Sequence, residues 1–404
     1  MHTSFAGKKI VIGVTGSIAA FKVAGWVSTL AKAEARVTVI MTDSAMRFVS
    51  PLTFASLSGE KVYTDMFADG PEMSHISLGM EADLFIIAPA TAHTIAKLAH
   101  GLSDNLLTTT VLAARAKVIV CPAMNGRMYS HPATQANIAT LKELNYQVID
   151  PACGTMACKD EGQGRLPEWE QVQDVFLRAV SAGDLKGERV LVSAGPTREH
   201  IDPARFISNR SSGKMGYALA RTAYRRGAEV TLVSGPTHLP CPEGVTRREV
   251  QTAEDMRTAM MEHFPAATVI IKAAAVSDFR PETTHREKVK KGQAELSLEL
   301  RANPDILREL GEIKDGTHQL LVGFAAESSD LLREGKKKLL KKNLDLIAVN
   351  DITRENTGFE ADTNQITLID HQDIIELPLV SKERTADLIL DRIVALLQTR
   401  ENPS

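Results

Sequence analysis

From Lys8 onward the chain alternates short apolar runs with longer stretches of helical periodicity, and this predicts strands and helices in regular succession. In the first half the runs place strands at 10–14, 36–41, 84–89, 118–122 and 147–150. A helix over 168–181 closes that half, and the polar stretch AGDLKGE behind it reads as a linker. The alternation then starts again. Strands are expected at 189–193, 229–234, 268–273, 319–323 and 344–350, with helices at 217–226, 253–264, 305–310 and 329–342 between them. A hairpin over 365–369 and 374–379 and an amphipathic helix over 382–398 finish the chain. Strands separated by helices pair in parallel, so the expected class is α/β: two doubly wound, Rossmann-like sheets in domains 1–183 and 187–404.

Ligands of such sheets bind beyond the carboxyl ends of the strands, which directs attention to 15–17, 42–44, 90–93 and 123–128. The first turn, GVTGSIAA, is not the dinucleotide fingerprint, and no acidic residue ends the second strand. Instead Gly16 is surrounded by hydroxyls, Thr15, Ser17, Thr42 and Ser44, which suits one phosphate, as in a mononucleotide; tight packing alone explains the glycine equally well. Thr91, Ser103, Asp104 and Asn105 are expected at the same face, with Asp104 capping a helix. Asn125, between Met124 and Met128, offers a donor and an acceptor in a polarisable pocket. His75 stands alone before the third strand, and Cys158 sits in a glycine-rich stretch that reads as a flap.

In the second half, residues 188–220 read as a strand, a long loop and a helix beginning near Lys214 or Met215. Arg198, Arg205, Arg210 and Lys214 make that loop a phosphate cradle. Asp278, after the third strand, suits Mg²⁺ beside nucleotide phosphates and serves equally well as a turn residue. Two basic clusters follow, one at Lys288, Lys290 and Lys291 and one at Lys336, Lys337, Lys338, Lys341 and Lys342. Lys338 and Lys342 share a helix face.

Composition narrows the partners. The 404 residues, 44% hydrophobic and 24% charged, suit two or three ordinary globular domains. A net charge of −3 gives no general attraction to nucleic acid or an anionic membrane, and aromatics at 5% are too scarce to interleave with the lysines. Four cysteines without metal-ligand spacing point to a reducing, cytoplasmic setting, and no apolar run reaches the roughly 18 residues of a membrane span.

The motifs VTGSIAA, SHISL, APATAHTIAKLAHGLSDNLL, PAMNGRM, the Cys158 flap, SAGPTREHIDPARFISNRSSGKMG, AAAVSDFRP, EKVKK, NPDIL, GFAAE and KKNLDLIAVND occur in that order. In them the chain resembles the bacterial bifunctional phosphopantothenoylcysteine decarboxylase and phosphopantothenate–cysteine ligase of coenzyme A biosynthesis. The resemblance implies an FMN-dependent first half with the flavin bound around Gly16, Ser17, Thr42, Ser44, Thr91, Ser103 and Asp104. It makes His75 the catalytic histidine, Asn125 the ligand of the substrate carboxylate and Cys158 the proton donor. It implies a second half that activates 4′-phosphopantothenate with CTP and Mg²⁺ as an acyl-cytidylate, which L-cysteine then attacks. Lys288 would serve activation and Asn209 would handle the cytidylate. Ala274, Asp278, Pro304, Asp305, Ile306, Phe324, Lys338 and Lys342 would lie at the nucleotide and metal. It further implies a homo-oligomer, trimer-based and up to a dodecamer in the first half. The chain departs from the family pattern at His93, Tyr129 and Lys159. A peptidyl-cysteine decarboxylase and a non-catalytic regulatory flavoprotein share first-half motifs; the fused second half argues against the former, and the trio His75, Asn125 and Cys158 against the latter.

Overall fold

The computed structural model describes residues 4–67, 73–155, 161–289, 297–327, 330–351 and 361–401. Cys158, Lys159, Lys290 and Lys291 lie outside them. The chain divides into two compact units, Ser4–Val180 and Ser181–Ser404.

In the first unit β1 (Lys9–Val14), β2 (Arg36–Met41), β3 (Val62–Tyr63), β4 (Leu84–Ala90), β5 (Lys117–Pro122) and β6 (Gln147–Val148) form one sheet in the order β3-β2-β1-β4-β5-β6. Every pairing is parallel. Both faces are apolar because successive side chains go to opposite sides and helices cover each. Ile10, Ile12 and Val14 pack with Trp26, Val27 and Phe176 on one face, while Val11, Phe85 and Ile87 pack with Leu107, Val111 and Ile138 on the other. The two tryptophans and Phe176 interlock edge-on or tilted, with centroids 5.7 to 6.2 Å apart. The stretch read as a flap is ordered at its base: β7 (Ala152–Thr155) and β8 (Glu161–Arg165) pair as an antiparallel ribbon.

The second unit runs β9 (Arg189–Ala194), β10 (Arg198–Asp202), β11 (Arg205–Ser208), β12 (Glu229–Ser234), β13 (Thr246–Glu249), β14 (Val269–Lys272), β15 (Phe279–Pro281) and β16 (Leu300–Ala302). It continues through β17 (Leu320–Glu327), β18 (Leu346–Asp351), β19 (Thr363–Asn364), β20 (Ile366–Asp370), β21 (Ile374–Glu376) and β22 (Val380–Ser381). The main sheet has the order β13-β12-β9-β14-β17-β18-β20-β21. It is parallel as far as β18, after which β20 and β21 add an antiparallel edge. The unit is doubly wound, as expected, with a mixed sheet.

Two local expectations need correction. The loop expected between strand and helix in 188–220 contains the antiparallel hairpin β10–β11. Glu199 is buried on β10, where its carboxylate accepts the Ala253 amide at 2.9 Å, so a charged residue occupies an inward position and hides the alternation. The helix Leu106–Leu112 is capped by Asn105, whose side chain accepts from the Thr108 amide at 3.0 Å, and not by Asp104. Asp104 instead pairs with Lys97 at 2.6 Å, and that hydrogen bond holds its carboxyl below the ordinary range.

Candidate functional site

In both units strand order reverses beside the first strand, between β1 and β4 and between β9 and β14. Loops that leave a sheet in opposite directions open a crevice at its carboxyl edge there. At the first reversal the buried Thr15 hydroxyl donates to the Pro89 carbonyl at 2.5 Å and accepts from the Thr91 amide at 3.1 Å, joining the ends of β1 and β4. A Cβ on Gly16 would stand 2.4 Å from the Ser44 Cβ, so only glycine lets the loops after β1 and β2 meet. Thr42 and Thr91 accept from the Ala45 and Thr94 amides as helix caps, and Ser17 accepts from the Ala19 amide. A capping hydroxyl uses a lone pair and keeps its own proton, so it can still donate to an anion. Ser44, Ser103 and Asp104 are exposed.

Asn125 caps the short helix Gly126–Tyr129, accepting from the Arg127 amide at 2.9 Å. It lines a cleft of about 650 Å³ with Arg127, Tyr129, Glu161, Gly162 and Gln163, so the flap ribbon forms one wall. His75 lies half-buried in the first turn of the helix Ser74–Glu81 and is not among the residues lining that cleft. Tyr129 is buried and its hydroxyl meets Asp150 at 3.2 Å; burial, reinforced by Asp150, pushes the phenol up to about 12.

At the second reversal the loops are laced together. The Ala274 amide donates to the Ser193 hydroxyl at 3.2 Å, the Ala275 amide to the Gly195 carbonyl at 3.0 Å, and Pro196 bridges to Ala275. Over them opens a cavity of about 410 Å³. Asn209, Ala274, Asp278, Pro304, Asp305, Ile306, Phe324, Lys338 and Lys342 all line it, so residues spread over more than a hundred positions converge on one place. The Asn209 amide donates to the Ala275 and Val276 carbonyls at 3.2 and 3.1 Å, which fixes its side chain at the rim. Asp305 caps the helix Ile306–Ile313 and accepts from Lys342 at 2.9 Å. Burial alone would raise its carboxyl, and the Lys342 ammonium more than reverses that.

Lys288 is exposed and does not line the cavity. The next residue, Val289, is tied to the hairpin: its amide donates to Asp202 and its carbonyl accepts from Arg205. Of the four basic residues of the expected cradle, Arg198 stacks on Phe206, Arg205 pairs with Asp202, and Lys214 lines the cavity while pairing with Asp362 at 2.6 Å. The arginines therefore build the hairpin, and Arg210 is exposed.

Sequence reading missed Lys272, Asn303, Asn364 and Lys382, which also line the cavity. Five lysines line it against two aspartates, a balance that favours an anion. Lys272 carried a signal, a cation at the end of the apolar run VIIK, but a strand-end lysine ordinarily faces water. Among the described residues no group of three or more His, Cys, Asp or Glu could hold a metal, and no helix is long and apolar enough to cross a membrane.

Residues 2–181 match the Flavoprotein family and residues 185–397 the DNA/pantothenate metabolism flavoprotein C-terminal domain. The coenzyme A biosynthesis bifunctional protein of Bacillus subtilis is 48% identical over 96% of this chain and 97% of its own length. Its counterpart in Mycobacterium tuberculosis is 44% identical over 96% and 97%, and that of Vibrio cholerae 42% over 96% and 98%. With two crevices at two topological reversals and relatives of this identity over nearly their whole length, the chain belongs to the family of coenzyme A biosynthesis bifunctional proteins.

Proposed function

We infer that the second unit joins 4′-phosphopantothenate to L-cysteine at the expense of CTP, and that the first unit decarboxylates the product to 4′-phosphopantetheine. The observation that carries this reading is the lysine-rich cavity at the β9–β14 reversal, with Asp278 on its wall. In the ligation a carboxylate oxygen attacks the α-phosphorus of CTP and pyrophosphate leaves; the cysteine amine then attacks the acyl carbon and CMP leaves. Charge grows on the departing pyrophosphate, so fixed ammonium groups such as Lys338 and Lys342 stabilise the transition state more than the ground state. Mg²⁺ takes few protein ligands and several phosphate oxygens, which fits one carboxylate, Asp278, without an acidic cage. Asn209, with its amide nitrogen already engaged, presents its Oδ1 to a donor such as the incoming amine. Lys288, next to Val289 whose amide donates to Asp202 of the hairpin, serves the activation step.

In the first unit FMN would be held by the Gly16–Ser17 turn and the Thr42 and Thr91 caps, with Ser44, Ser103 and Asp104 at the rim; the Gly16–Ser44 contact leaves a cradle with bare backbone to receive a phosphate. When bound, the flavin supplies a reversible two-electron sink for the cysteinyl moiety. Around it Asn125 orients the substrate carboxylate, His75 serves as the catalytic histidine and Cys158 returns a proton. Ile18, Phe21, Phe48 and Leu52 are 50% or more exposed, an apolar surface that supports self-association through this unit, for which we propose a trimer-based assembly of up to a dodecamer. The test is Lys288→Gln in the full chain. It should lose CMP release from CTP while still decarboxylating supplied phosphopantothenoylcysteine; ligation at the parental rate removes Lys288 from the reaction.

A further inference from the structure

Lys272 ends β14, the strand at the centre of the second sheet. By the two-residue period it shares the face of Ile270, which packs with Leu307, Leu310 and Leu339, rather than that of Val269 and Ile271. The residue is 8% exposed and lines the floor of the cavity. Its ammonium makes one hydrogen bond, 3.4 Å long, to the Ala274 carbonyl, and no ion pair among the described residues. The charges that act on it are Lys342, which repels it, and Asp305, which attracts it less strongly and is itself engaged with Lys342 at 2.9 Å. A buried ammonium with a single long hydrogen bond is unfavourable until further acceptors complete its shell. Within the fold those acceptors must come from what fills the cavity.

We propose that Lys272 is a nucleotide-contacting residue, its ammonium donating to an acceptor oxygen of the nucleoside triphosphate in this cavity, either on phosphate or on the base. The proposal rests on the reading of the cavity as a nucleotide site and adds a residue to it. Burial, then repulsion from Lys342, with Asp305 opposing, brings the empty site's Lys272 down to about 8. The other charged groups facing it across the cavity are Lys338 from the helix Leu331–Lys341 and Asp278 from the loop after β14, with Lys214 and Lys382 at the far end. An acceptor oxygen against Lys272 favours its protonated form. Binding therefore takes up a proton increasingly as pH rises through about 8, and affinity falls over the same window.

The test is calorimetric titration of the full chain with Mg·CTP from pH 7.5 to 9.5, in two buffers of different ionisation enthalpy. The parent should show proton uptake that grows above pH 8. Lys272→Met, which fills a similar volume without the charge, should bind about tenfold or more weakly at pH 7.5 and show no uptake. Lys272→Arg should bind within about threefold of the parent, yet without uptake, because guanidinium stays charged throughout. Rescue of affinity without rescue of proton uptake separates contact from mere support of the fold. Parallel titrations with tripolyphosphate and with cytidine identify the oxygen by which of them reproduces the uptake. A Met variant with parental affinity and parental uptake overturns the proposal and leaves the nucleotide site standing. A parent that binds no Mg·CTP removes the site itself.

Discussion

Single residues in this chain are explained by what they touch rather than by what their type suggests. Tyr129 closes one side of the Asn125 cleft, held by its hydroxyl to Asp150 and by the Gln135 side chain donating to its carbonyl at 2.7 Å. Tyr129→Phe should cost about 1 kcal/mol of first-unit stability, read as a lower thermal midpoint, because Asp150 keeps access to water. Asp202 is buried under its own hairpin, accepting from Arg205, from the Ala204 amide and from the Val289 amide. The Arg205 hydrogen bond leads in holding its carboxyl well below the ordinary range. A folded-state value below the unfolded one gives stability that is present above about pH 4 and lost as pH falls further. The protection of the hairpin amides against hydrogen exchange, relative to their intrinsic rate at each pH, should fall on acidification below pH 4; unchanged protection at pH 3 would remove Asp202 as its anchor. Lys272 shows the limit of sequence at this scale. Its letter and place are compatible with a solvated strand end, and only the two-residue register, counted from Ile270, turns it inward.

At the scale of elements, close backbone approaches position the site. Asn343, in a left-handed conformation at φ 50°, donates to the Gly311 carbonyl at 2.9 Å. A Cβ on Gly311 would stand 1.9 Å from the Lys342 carbonyl. That contact sets Lys342 against Asp305 at the N-cap of the same helix. Gly311→Ala should therefore weaken CTP binding about tenfold or more, by titration, while decarboxylation of supplied substrate continues. On the other side, Gly16→Ala forces the loops after β1 and β2 apart, and the purified variant should carry less flavin by visible absorbance. Strands with apolar faces on both sides were legible to within a residue or two, except β17, which runs four residues past its expected end; β2 and β12 have the bounds the apolar runs predict. The hairpin β10–β11 was not, because its strands of five and four residues carry a buried glutamate and a buried aspartate where alternation calls for apolar side chains.

At the scale of the whole molecule, one topology is used twice. Each unit leaves its first strand in one direction, returns, and continues in the other, and each sets its functional loops at that reversal. Composition concealed this, since a net charge of −3 says nothing of a cavity with five lysines and two aspartates. Motif order revealed it, because nine of the residues expected at the ligase site line one cavity, while the positions of His75 and Asn125 on separate elements could not be related from sequence spacing. The second unit is tied at its start by Arg226, a buried side chain that bonds Asp184 and Asp391. Asp184→Ala leaves that guanidinium half-compensated and should cost about 3 kcal/mol, seen as a lower denaturation midpoint of the second unit. Two units of one chain that carry out consecutive reactions can be followed in a single assay. The flavin-loaded protein should be given 4′-phosphopantothenate, L-cysteine, Mg²⁺ and CTP, with CMP, CO₂ and 4′-phosphopantetheine measured together. Equal amounts of all three are expected at completion, with ligation product preceding CO₂; CO₂ without CMP, or CMP without CO₂, would overturn the assignment of consecutive reactions to the two units.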